Sequence, residues 1–131
     1  MAVTLTTAAR NAACAAIVAL VDASTGVAAG SINFSTSAPA TLCNCPMSNP
    51  AFGAPVTGVS TASAITTGTV SGSSNPSTVA LALFVNRAGT EVFRCACAVA
   101  TSPSDINLSN VAVNNDDTIS ISSLTYTVPA T

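Results

Sequence analysis

The sequence predicts a mainly β protein, an antiparallel β-sandwich with one N-terminal α-helix, in a single domain over residues 1–131. Two observations carry this. Only the opening segment spaces its apolar residues as a helix does, with Cys14, Ile17, Val18 and Val21 at i, i+3, i+4 and i+7. After Gly30 the apolar runs are short, alternate with period two and are bounded by Gly, Pro, Asn and Ser.

The helix is expected over about residues 7–24. Thr6 or Thr7 can cap it, Ala-rich sequence fills it and Gly26 is the expected stop. The sandwich is expected over about 31–129. Its strand candidates are residues 31–35, 40–45, 59–65, 78–85, 90–99, 106–108, 111–113 and 118–128. Pro46, Asn49-Pro50 and Gly53-Ala54-Pro55 mark an irregular loop, and residues 68–75 read as a flexible turn. Asn86-Arg87-Ala88-Gly89 reads as a hairpin turn, Pro103 as a break and residues 114–117 as a polar turn. In the last strand, alternation slips at Ser122-Ser123, which predicts a bulge there.

The hydrophobic content of 49% comes mainly from Ala and Val, while aromatics are 4% and Trp is absent. So thin a supply of bulky residues makes stability lean on backbone ladders, cross-links or association. Only 6% of residues are charged, with net charge −2. A soluble monomer ordinarily keeps a far more charged surface, so packing against copies or partners is expected. Three arginines, Arg10, Arg87 and Arg94, cannot neutralise many phosphates, so nucleic acid is not an expected partner. The apolar run of the helix is too short to span a membrane. No signal peptide is expected, because the start is uncharged and Asp22 closes that run.

Five cysteines are the most distinctive feature. Cys43-Asn44-Cys45 and Cys95-Ala96-Cys97 each put two thiols on one face of an extended segment, and Cys14 lies on the helix stripe. A bond within Cys-x-Cys closes a small strained ring, so each pair looks elsewhere for partners. All five are disulfide candidates, within the subunit or between subunits, and Cys43/Cys45 could meet Cys95/Cys97 across adjacent strands. An odd number leaves one thiol over, with Cys14 the natural remainder. Zinc is the second reading of the thiols. Structural zinc favours Cys-x2-Cys knuckles, and no His is present, so no metal site and no cofactor are expected.

The absence of His also removes the usual catalytic base and any Ser–His or Cys–His activation, so no catalytic residues are assigned. The acids Asp22, Glu91, Asp105, Asp116 and Asp117 form no spaced pair with a base. Asn115-Asp116-Asp117 reads as a solvated turn rather than a calcium loop. Glu91 and Arg94 are expected on opposite faces of their strand.

The opening Met1-Ala2-Val3-Thr4-Leu5-Thr6-Thr7-Ala8-Ala9-Arg10-Asn11-Ala12-Ala13 and the Ile-Val-Ala-Leu-Val-Asp run after it resemble small virion structural proteins of tailed bacteriophages. So do Asn49-Pro50-Ala51-Phe52-Gly53, Thr61-Ala62-Ser63-Ala64-Ile65-Thr66 and residues 119–130. The similarity covers most of the chain and is patchy in 31–46 and 68–77. It implies a β-rich, non-enzymatic virion component: a capsid decoration or minor capsid protein, with a neck, collar or tail component as the alternative. It further implies manufacture in the host bacterial cytoplasm and partners that are copies of itself and other virion proteins, whether major capsid or neck and tail proteins. Such proteins carry few cysteines, so the Cys-x-Cys units look like an addition. A surface receptor- or carbohydrate-binding module is a further alternative, though it would want more exposed aromatics than one Tyr and four Phe supply.

Overall fold

A computed structural model describes residues 2–101 and 104–131, so Met1 and the expected break at Pro103 lie outside the described residues. Helix α1 spans Thr7–Ala19, and Thr6 caps it by accepting the Ala9 N–H at 3.2 Å. Cys14, Val18 and Val21 of the expected stripe are buried, with Ile17 half-buried. The helix stops before residue 24: a 3-10 turn, Leu20–Asp22, finishes it and Ala23 is already extended. Two contacts pull the chain out of the helix. The Asp22 carboxylate accepts the Ala51 N–H at 2.9 Å, and Ala23 O accepts from Arg87 N at 3.3 Å. Gly26 is therefore not the stop; it has φ 147° and presses on the Arg87 carbonyl, where a Cβ would collide.

The strands in chain order are β1 Ser31–Ser35, β2 Thr41–Pro46, β3 Val59–Thr61, β4 Gly68–Thr69, β5 Ser77–Thr78, β6 Leu81–Val85, β7 Glu91–Val99, β8 Ile106–Leu108, β9 Ala112–Val113, β10 Thr118–Ile119 and β11 Thr125–Thr127. The protein is thus mainly β with one helix, as expected. Five strands form one sheet in the order β2-β1-β6-β7-β8, and three short antiparallel ladders pair β4 with β10, β3 with β11 and β5 with β9.

The expectation of a wholly antiparallel arrangement is corrected at β8, which runs parallel to β7 with Cys97 beside Ile106. The expected strand 118–128 is two strands: β10 pairs with β4 and β11 with β3, so Ser122-Ser123 lies in a crossing between ladders rather than in a bulge. Residues 68–75, expected as a flexible turn, begin with the paired β4. The strand expected over 78–85 is likewise split, into β5 and β6.

Glu91 and Arg94 share a face, because the β6–β7 register slips between Phe84/Val85 and adds a residue to β7. They form a two-pronged ion pair, 2.6 Å at each contact, and the Arg94 hydrogen bonds hold the Glu91 carboxyl below its ordinary range.

The core lies between the five-stranded sheet, the helix and the short ladders. Ile32, Phe34, Ala82 and Phe84 fill the inner face of the sheet, and Val70, Val79 and Ile119 are buried against it. The phenylalanines supply the bulk that Ala and Val lack. The helix is tied to the ladder beneath it by Arg10 Nε donating to Val128 O at 2.9 Å and by Asn11 Oδ1 accepting Gly58 N–H at 2.7 Å.

Candidate functional site: one sheet face with a closed and an open end

Register places four of the five cysteines on the inner face of the sheet. Cys43 of β2, Phe34 of β1, Ala82 of β6 and Cys95 of β7 form one row across it, and Cys45, Ile32, Phe84 and Phe93 form the next. Two strands separate the Cys-x-Cys units, roughly 14 Å by three inter-strand spacings. A disulfide needs Cα atoms within about 7 Å. The expected meeting of Cys43/Cys45 with Cys95/Cys97 across adjacent strands is therefore corrected: the strands are not adjacent. All five cysteines are free thiols.

The β2 end is closed. Cys43 and Cys45 are 2% and 0% exposed, and their sulfurs are 4.0 Å apart, without a bond. β4 crosses directly over them. A Cβ on Gly68 would lie 2.5 Å from Cys43 Sγ and 2.9 Å from Cys45 Sγ, so only glycine allows this approach. Cys45 Sγ donates to Ile119 O at 3.6 Å. Burial pushes the Cys43 thiol up, and burial reinforced by the Cys43 charge pushes Cys45 up to about 12. These are protonated, inert packing groups. Cys14 is the same kind of residue: fully buried, its Sγ 3.7 Å from Tyr126 O, its pKa raised by burial.

The β7–β8 end is open. Cys95 and Cys97 are half-buried, and burial raises both, Cys97 to about 11 with help from the charges of Cys95 and Asp105. Cys95 lines a cleft of 220 Å³ together with Phe52, Phe84, Phe93, Tyr126 and Asp105. Phe84 stacks on Phe93 at 4.4 Å, and Phe93 meets Tyr126 at 5.2 Å. Three of the four phenylalanines and the single tyrosine thus converge on one spot. Phe84 and Phe93 meet across the expected hairpin, but Phe52 and Tyr126 join them only through long-range packing, which local spacing does not reveal. A larger hollow of 740 Å³ lies by the outer face of the sheet near Asn33, Asn44 and Arg87.

Among the described residues, no three His, Cys, Asp or Glu side chains are grouped to hold a metal, and no buried side-chain N or O lacks a hydrogen-bond partner. Asp22 is engaged with Ala51. Asp117 Oδ2 accepts Asn114 N–H at 2.8 Å within the expected turn, and Asn115 Oδ1 accepts Ser73 N–H at 2.9 Å. No protein-family model, curated protein or solved structure matches the chain.

Proposed function

We propose that this chain is a non-enzymatic structural protein of a bacteriophage virion, a capsid decoration or minor capsid protein that stabilises the particle by self-association and by contact with other virion proteins. The observation that carries this reading is the surface. Of eight charged residues, Glu91 and Arg94 neutralise each other and Arg10 is spent on Val128. Meanwhile Val3, Leu20, Val27 and Val56 are 51–68% exposed. Such a surface favours cover by protein over long residence in water. The sequence resemblance points the same way, and the lack of His speaks against acid–base chemistry.

The architecture under this proposal is a β-sandwich of two unequal layers, the mixed sheet and the short ladders of β3–β11 and β4–β10, with the helix against the second. Cross-links between copies run through Cys95 and Cys97, because Cys14, Cys43 and Cys45 are closed to another chain. The virion is the proposed location. A neck, collar or tail position is the alternative within this class. Among the described residues, no helix is long and apolar enough to cross a membrane.

A receptor- or carbohydrate-binding module is the second reading, favoured by the aromatic cleft alone. A cryo-EM map of the particle decides among these: density for this chain on the capsid lattice is expected. Density only at the neck or tail selects the alternative. Absence from purified particles overturns the virion reading, and a glycan array then tests the module.

A further inference from the structure

The β7–β8 end is an unfinished sheet. Among the described residues β8 has one neighbour, β7, and closes the strand order on that side. Leu108 O accepts Ala100 N–H at 3.0 Å, so Leu108 faces β7. In a ladder, adjacent residues turn their N–H and C=O to opposite sides, so Asn107 presents its pair outward. Along this edge runs a groove of three adjoining hollows. The 220 Å³ aromatic cleft shares Asp105, Ile106 and Leu124 with a 330 Å³ hollow between β8 and residues 120–125. That hollow shares Asn107, Leu108 and Ser120 with one of 530 Å³ reaching Asp117. An open ladder edge with a side-chain pocket at one end is what an added strand requires.

The chain also carries a strand-like segment outside the ladders. Residues 2–6 read Ala-Val-Thr-Leu-Thr, with Val3 56% and Leu5 36% exposed on one face of the alternation. The backbone hydrogen bond described for residues 2–5 is Leu5 N–H to Ala130 O at 2.8 Å. The segment is uncharged, so the carboxylates of Asp105 and Asp117 do not repel it. Five residues span about 16 Å, the length of residues 106–110 when extended.

Its own groove is out of line. Leu5 lies by Ala130, Arg10 by Val128 and Cys14 by Tyr126, so the chain runs antiparallel to its own C-terminal segment. Followed backwards from Leu5, residues 4 to 2 lead away from β11 and from the cleft that Tyr126 lines.

We infer that residues 2–6 of one copy add as a strand to the β8 edge of a second copy, with Val3 seated in the cleft of Phe52, Phe84, Phe93 and Tyr126. The contact is head-to-tail, so it propagates into a ring or an open chain. It deepens the self-association proposed above and rests on it.

The test uses the full chain carrying Val3→Cys, with Val56→Cys, another exposed position, as control. Each is purified reduced, mixed as isotopically light and heavy chains, and treated with a bis-maleimide long enough to bridge two inter-strand spacings, about 10 Å. Peptide mapping should find the introduced thiol of Val3→Cys linked through the reagent to Cys95 of the other isotope, and no such link for Val56→Cys. A link to Cys95 within the same chain, no link to Cys95, or equal cross-linking by the control overturns the inference. Sedimentation of the unsubstituted protein and of a deletion of residues 2–5 supplies the second readout. The deletion should shift the assembly to monomer with its helix dichroism unchanged. An assembly unaffected by the deletion overturns the arm exchange while self-association stands. A monomeric unsubstituted protein overturns both.

Discussion

Cys43/Cys45 and Cys95/Cys97 repeat one pattern on one face of one sheet, yet their surroundings differ completely. The first pair is roofed by Gly68 and sealed; the second borders an aromatic cleft beside a strand with an open outer edge. The spacing sets which face the thiols share, and the neighbouring strand sets what they can do. At β2 the sheet edge is covered by residues 66–71, with Thr66 N–H donating to Pro46 O at 2.8 Å and Ser71 N–H to Leu42 O at 2.7 Å. At β8 no further strand follows among the described residues.

The largest contrast is expected in packing. Phe34 is fully buried beside Cys43, so Phe34→Ala should cost about 3–5 kcal/mol. Phe93, half-buried beside the cleft, should cost less than half as much when truncated. Urea unfolding of the two variants measures this, and equal losses would erase the distinction between the ends.

Gly68→Ala tests the roof directly. Its Cβ would meet the Asn44 carbonyl oxygen as well as Cys43 Sγ, and the overpacking should cost about 1–3 kcal/mol. Adding Cys43→Ala should recover part of that loss, a coupling read from a double-mutant cycle. Strict additivity would mean that the Asn44 carbonyl, and not the sulfur, resists the added methyl.

The thiols also predict alkaline instability. Their folded pKa values lie above the ordinary 9.0, with Cys45 at about 12 and Cys97 at about 11. Stability from each is fully present below pH 9. It falls as pH rises towards the folded value, because the unfolded chain loses its protons first. Each thiol contributes a slope of about 1.4 kcal/mol per pH unit in that window. Cys45→Ala should flatten the profile of urea midpoint against pH up to the highest pH, whereas Cys97→Ala should act over a narrower range.

The smallest effect belongs to the outer face. Glu91→Gln should change stability by only about 0.2–1 kcal/mol, since an exposed ion pair is screened by water and salt. A larger change would indicate that this face is covered.

What was legible beforehand was local. The Thr6 cap, the Cys14–Val18–Val21 stripe, β1 and the β6–β7 hairpin all follow from spacing within a few residues. The shared face of Cys43 and Cys45 follows from period two. Features set by distant partners were not legible. β4 exists because Thr118–Ile119 pairs with it, and the parallel β8 depends on how the chain returns after β7. One extra residue in β7 was enough to bring Glu91 onto the face of Arg94. The roof over the thiols is Gly68, remote in sequence, and the cleft gathers aromatics from residues 52 to 126.

Differential alkylation tests the closed and open ends most directly. The native, reduced protein is exposed to iodoacetamide, and labelled positions are read by mass spectrometry over time. Cys95 and Cys97 should label first, while Cys14, Cys43 and Cys45 stay protected until denaturant is added, after which all five react. Early labelling of Cys43 or Cys45, or five equal rates, would contradict the account.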